Sequence, residues 1–224
     1  MIPLKDNIPT NSFPVLTVLL IAINTGVFIY ELTLSPDELK LFVHQYGLLP
    51  TDILQLNILN LFTHMFIHGG IGHILGNMLF LWIFGNNVED ALGKVRFLAL
   101  YFGSGLAAAF LQSFVAIFEG SLDIPMVGAS GAISGILAAY MKLYPYAKVL
   151  TFIPPFFFFF FVLPAWFFIG YWFLIQVLYA MFVPTELGGV AWYAHIGGFV
   201  AGWILINKLY KKNLKLVHYS AIRY

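Results

Sequence analysis

The sequence predicts an all-α membrane protein: a polytopic bundle of six transmembrane helices with both the N and C termini cytoplasmic. Three observations predict it. Of the 224 residues, 61% are hydrophobic and only 9% charged, against about 25% charged in an ordinary soluble domain, so the chain cannot cover a water-facing surface. Apolar runs close to the roughly 17–25 residues that cross hydrocarbon recur along its whole length. The basic residues segregate to one side of those runs.

The first segment is 13–32. It follows "MIPLKDNIPTNSFP", a polar, proline-rich stretch containing Asp6. That stretch is neither the charged n-region of a signal peptide nor an arginine-rich transit peptide, so the first run is expected to stay as an anchor. The second segment, 71–88, is entered through "FTHMFIHGG". The third, 97–118, is bounded by Arg96 and Glu119. The fourth, 129–144, is short. Its roughly 16 residues reach about 24 Å, against a hydrocarbon core of about 30 Å, so its outer end is expected to lie below the membrane surface. The fifth is 164–182. Starting it earlier, within "IPPFFFFFFVLPAW", would bury Pro164 inside a helix, where it removes a hydrogen bond and clashes with the preceding turn. Proline is tolerated in a first turn, so the phenylalanine tract 156–161 is expected at the inner interface or under the bundle. The sixth segment is 190–210. The whole of 1–224 reads as one domain.

Six spans place Lys5, Lys94, Arg96, Lys142, Lys148, Lys208, Lys211, Lys212, Lys215 and Arg223 on one side, ten of the 11 basic residues. The other side receives Lys40 with Asp37, Glu38, Asp52, Glu119, Asp123 and Glu186. Five or seven spans scramble this division, and its bias puts both termini inside. A net charge of +1 gives no nucleic-acid footprint. With no cysteine, disulfides, thiolate metal sites and cysteine nucleophiles are excluded.

Intramembrane polar residues are functional candidates by default, and here they share a depth. His73 falls in the first turn of the second helix and Asn77 one turn deeper, at i, i+4. Ser130 is in the first turn of the fourth helix. His195 lies about five residues into the sixth, roughly 7–8 Å down. Gly131 and Gly135 on the fourth helix, and Gly198 and Gly202 on the sixth, are small-xxx-small pairs that let backbones approach closely. If those faces meet, Ser130 and His195 touch. A serine hydroxyl needs a base to become a nucleophile, and a histidine within hydrogen-bond reach is one. The amide of Asn77, the imidazole of His73 and the backbone N–H of Ser130 are donors suited to an oxyanion. No carboxylate is placed to orient the histidine, so the residues favour a dyad over a triad. Ser134, one turn deeper, is better explained by a bond from its hydroxyl to the i−4 carbonyl.

Each signal has a plainer reading by itself. Small residues in membrane helices are usually packing, a lone His195 reads as a hydrogen-bonded bundle residue, and His73 with Asn77 reads as a cross-link between helices. Position 132 is alanine, so the hydrolase G-x-S-x-G pattern is not met. The common depth and the glycine faces are what argue for chemistry.

Three blocks, "GHILGNMLFLWIFGNNVED" from Gly72, "MVGASGAISG" from Met126 and "GGVAWYAHIGGFVAG" from Gly188, resemble the rhomboid family of intramembrane serine proteases. Their order and spacing match a compact bacterial-type member with a six-helix core. The resemblance implies Ser130 as nucleophile, His195 as general base, and Asn77, His73 and the Ser130 N–H as the oxyanion hole. It implies cleavage of transmembrane protein substrates near their outer end, in a multi-pass protein of the bacterial cell membrane whose site opens to the extracytoplasmic side. It further implies that the fifth helix and the loop 183–189 form a lateral gate and cap, with Trp166 and Trp172 at the gate surface. No cofactor and no metal are implied, the lipid bilayer is the other partner, and the oligomeric state is left open. One departure stands out: where many relatives carry a Trp-Arg pair in the first loop, this chain reads Leu59-Asn60.

Three rival readings compete. His64, His68 and His73 invite a zinc protease, since i, i+4 histidines can bind zinc, but there is no H-E-x-x-H and no intramembrane carboxylate base. A catalytically inactive rhomboid-like protein that binds membrane clients would typically lack the serine or the histidine, and both are present. A transporter would want polar groups at the midplane, whereas these lie towards one face.

Overall fold

A computed structural model of the chain describes residues 1–153, 159–183 and 189–210. Most of the loop 183–189, Glu186, the first half of the phenylalanine tract, and Lys211, Lys212, Lys215 and Arg223 lie outside the described residues.

The elements run β1 (Ile2–Asp6), α1 (Val15–Glu31), α2 (Pro36–Tyr46), α3 (Ile58–Thr63), α4 (Ile71–Phe80), α5 (Asn86–Leu92), α6 (Lys94–Glu119), α7 (Ser130–Leu143), β2 (Lys148–Phe152), β3 (Phe160–Pro164), α8 (Ala165–Phe182) and α9 (Trp192–Leu209). Each of the six apolar segments is thus helical. The second is compound: α4 passes through a π-helical stretch, Leu81–Gly85, into α5. By length and apolarity α6 and α8 are each able to cross a membrane; Ile58–Phe66 with Ile71–Leu92 makes a third if that pair, bent by 91°, is one span. α1 is apolar but shorter, at 17 residues. The protein is a mostly helical membrane protein.

Ten of the 14 residues of α7 are buried, and it packs against both α6 and α9, which also pack directly on each other. Small residues make this possible. A Cβ at Gly135 would overlap the Ser104 side chain of α6 and stand 3.0 Å from the Gly198 carbonyl of α9. Cβ atoms at Gly198 and Gly202 would overlap the backbone of Gly131 and Gly135. The two glycine faces therefore meet, with backbone against backbone.

α1 is held from α5. Its N-terminus has no side-chain cap of its own, and the buried Glu89 carboxylate accepts instead from the Leu16 N–H (3.0 Å), the Thr17 N–H (2.7 Å) and the Thr17 hydroxyl (2.8 Å). A carboxylate there satisfies otherwise orphaned N–H groups and complements the helix dipole.

The all-α expectation is corrected by a three-stranded antiparallel sheet in the order β1-β2-β3. Its register joins Ile2 to Phe152 and Lys148 to Pro164. The aromatic and β-branched side chains of Phe160–Val162 suit a pleated surface better than a helix. Pro164 ends β3 and caps α8, one residue ahead of that helix's first turn. The sheet adjoins the C-terminal end of α7, where the Tyr140 hydroxyl donates to the Asp6 carboxylate.

Candidate active site

Ser130 is the first residue of α7, and the loop before it is stitched down on both sides. Met126 exchanges backbone hydrogen bonds with Leu48 (2.8 and 3.0 Å), and the Gly128 N–H donates to the His64 carbonyl (2.8 Å). Gly128 has φ of +117°, a conformation that strains any side chain. A Cβ there would also lie 2.6 Å from Nε2 of His73. Glycine is required twice over, and its absence of a side chain brings the backbone of the serine loop against the imidazole.

The first loop is itself anchored. The buried Asp52 carboxylate accepts from the Leu49 N–H (2.8 Å) and from the side-chain amides of Asn57 (3.2 Å) and Asn60 (3.0 Å). Asn60, at the second position of the departing Leu59-Asn60 pair, is 3% exposed, and its carbonyl lies 2.8 Å from Nδ1 of His64. An Asp52–Asn60–His64 chain of contacts thus ties this loop together.

Ser130, His195, His73 and Asn77 all line one cavity of about 530 Å³, together with Phe80, Ile133 and Trp172. The residues from three helices that the sequence placed at one depth are brought to one space. Around it the polar groups are oriented. The Gly69 N–H donates to Nδ1 of His73 (3.3 Å), which leaves its proton on Nε2, the atom beside Gly128. The Asn77 amide nitrogen is buried without a hydrogen-bond partner among the described residues. A buried, unsatisfied donor at a cavity wall is costly unless something in the cavity accepts from it. Ser134 contributes nothing to this wall: its hydroxyl donates to the Ser130 carbonyl (2.6 Å), one turn back.

His195 is 7% exposed. Its ring lies 5.7 Å from that of Trp172, tilted by 39°, and 6.1 Å from that of Trp192, edge-on. Nδ1 is 2.7 Å from Oε1 of Gln176. Gln176, on α8, was not among the residues the sequence singled out. The signal was there: in "AWFFIGYWFLIQVLYAMF" it is the one amide in an otherwise apolar and aromatic helix, which marks it by the same rule that marked Asn77. Of the two expected gate tryptophans, Trp172 lines the cavity; Trp166 is 50% exposed, outside that lining, with its ring edge-on to Phe167.

Of the three histidines that suggested zinc, His68 and His73 lie with their rings 5.1 Å apart, edge-on, while Nδ1 of His64 is taken by the Asn60 carbonyl (2.8 Å) and Nδ1 of His73 accepts from the Gly69 N–H (3.3 Å). Among the described residues no three His, Asp or Glu side chains gather into a metal-binding group.

The fold and site together define a helical membrane bundle in which a serine at a helix start and a buried histidine line one cavity. The rhomboid domain model matches residues 55–212, and the chain belongs to the rhomboid family. Rhomboid protein 1, mitochondrial, of Saccharomyces cerevisiae is 31% identical over 188 residues, covering 82% of this chain and 50% of the yeast protein. The presenilin-associated rhomboid-like protein, mitochondrial, of Bos taurus is 29% identical over 135 residues, 60% of this chain and 35% of its own. The rhomboid protein YdcA of Bacillus subtilis is 37% identical over 90 residues, 40% of this chain and 43% of its own. The chain spans half or less of the length of these curated relatives. They come from mitochondria as well as from a bacterium, so the expected bacterial membrane finds no support in them.

Proposed function

We propose that this chain is an intramembrane serine endopeptidase that cuts transmembrane protein segments near their outer end. The observation that carries the reading is the shared cavity of Ser130 and His195, with the His73 Nε2–H and an Asn77 amide that has no partner among the described residues on its wall. In the reaction His195 takes the Ser130 proton as the hydroxyl oxygen attacks the scissile carbonyl. The carbonyl oxygen becomes an oxyanion and gains hydrogen bonds from Asn77, His73 and the N–H of Ser130. His195 then gives its proton to the leaving amine, and water completes hydrolysis of the acyl-serine by the same route.

The membrane arrangement that goes with this reading has six spans and cytoplasmic termini. Lys5 and Lys148 in the sheet, Lys94 and Arg96 at the start of α6, and Lys142 at the end of α7 support it, since they fall on one side of the bundle. The acid-rich α2, with Asp37 and Glu38 in its first turn, falls on the other. Substrate enters laterally past α8, where Trp172 borders the cavity. Neither a metal nor a cofactor has a part in this chemistry.

The test is cleavage of a panel of single-span membrane substrates by the wild type, Ser130→Ala and His195→Ala in lipid vesicles, with and without EDTA. Loss of cleavage in both variants and indifference to EDTA are expected. Full cleavage by both variants would sink the dyad. Substrate capture without cleavage by the wild type would indicate the client-binding alternative.

A further inference from the structure

The dyad needs one particular tautomer of His195. To accept the serine proton at Nε2, the neutral ring must carry its own proton on Nδ1. In hydrolases with a triad a carboxylate fixes this, and no carboxylate partners His195 among the described residues. What faces Nδ1 is the side-chain amide of Gln176, 2.7 Å away and 4% exposed.

An amide can face a histidine in two ways, with opposite consequences. If its nitrogen faced Nδ1 it would donate, push the ring proton to Nε2 and silence the base. The fold decides between them. Nε2 of Gln176 donates to the Trp172 carbonyl, 2.9 Å away in the preceding turn of α8. Flipping the amide would set its oxygen against that carbonyl oxygen, two acceptors with no hydrogen between them. The amide oxygen is thereby held towards His195, so Nδ1 must donate and Nε2 is left with the lone pair. Trp172, from the same turn, lies beside the imidazole and limits its rotation.

We propose that Gln176 is the positioning residue of this site: an amide, locked by the Trp172 carbonyl, that orients His195 and selects its Nε2-basic tautomer. The proposal rests on the Ser130–His195 reading. It also assigns a difference from a carboxylate-held histidine. A neutral acceptor sorts the tautomer but, unlike a carboxylate, brings no charge to the imidazolium.

The test is the rate at which a fluorophosphonate probe labels Ser130 in the full chain in lipid vesicles, followed over about pH 5 to 9. Gln176→Leu removes the acceptor. Its labelling should fall about tenfold or more, with the acid limb of the profile moving to lower pH. Gln176→Glu restores an acceptor. It should recover most of the rate over the leucine variant, with the acid limb moving to higher pH, because a carboxylate holds the imidazolium. Gln176→Met keeps the length without the acceptor and replaces the leucine arm if that variant misassembles. An acid limb that stays in place in both the acceptor-free and the glutamate variants overturns the proposal, whatever the rates do, since a packing role would not move it. Wild-type labelling in His195→Ala overturns the dyad itself, a separate outcome.

Discussion

Gly198 rests on the backbone of Gly131 with no room between them for a methyl group. His195 stands three residues before one partner and Ser130 is the immediate neighbour of the other, so this contact sets the distance across which the proposed pair works.

Gly198→Ala should therefore act on chemistry before it acts on fold. The added carbon must push α9 from α7, an overpacking cost of about 1–3 kcal/mol. Fluorophosphonate labelling of Ser130 should drop by more than tenfold, while Gly26→Ala, whose Cβ meets nothing within 4 Å, leaves it unchanged. Equal labelling in both would show that the seam does not set the pair's spacing.

Gly128 makes a different demand. An alanine there is strained at φ +117° and collides with Nε2 of His73. Gly128→Ala should lower cleavage about 10²-fold, the effect of losing one oxyanion donor, with little change in substrate binding. The check is a kcat and KM split on a single-span substrate. A rise in KM alone would contradict it.

Glu89 joins α5 to the start of α1 through three accepted hydrogen bonds. Glu89→Ala strands two backbone N–H groups and a hydroxyl and should cost about 2–3 kcal/mol. Glu89→Gln keeps one accepting oxygen and should cost less. Unfolding midpoints in mixed micelles would read the order.

Asp6 supplies a pH dependence. Burial pushes its carboxyl above the usual range, opposed by the hydroxyl of Tyr140 and by nearby backbone bonds. A carboxyl raised by folding contributes stability that is full below its unfolded value and is lost as pH rises through the folded one. Docking of β1 should thus loosen as pH rises through the Asp6 titration. Asp6→Asn, which still accepts from Tyr140, should remove that dependence. Amide exchange of the paired residues of β1 and β2 against pH measures both.

Much of this was legible because the governing signals are local. Apolar length found the helices, and the i, i+4 and small-xxx-small spacings found the faces of His73–Asn77 and Gly198–Gly202. Ser134 read correctly as well, because its hydroxyl bonds within its own helix. The sheet was not legible: its pairing joins residues 2–6 to 149–152, and a six-phenylalanine run carries no alternation to betray a strand. Gln176 escaped for a related reason. A single amide in an aromatic helix was available to the rule that found Asn77, but its partner lies on another helix. The "SPDE" before α2 is a capping box, with Ser35 and Glu38 bonding each other's backbone; a helix start was written there, inside what reads as a loop between spans.

The sheet also imposes a timetable. Ile2 finds its partner in Phe152, so on a ribosome β1 emerges about 8–30 s before the strand it pairs with, at ~5–20 residues per second. Throughout that interval α1 can enter the bilayer while β1 has nothing to hold. The earliest segment of this region to be made thus waits, and its docking on β2 and Tyr140 can follow only once α7 and β2 have both been made.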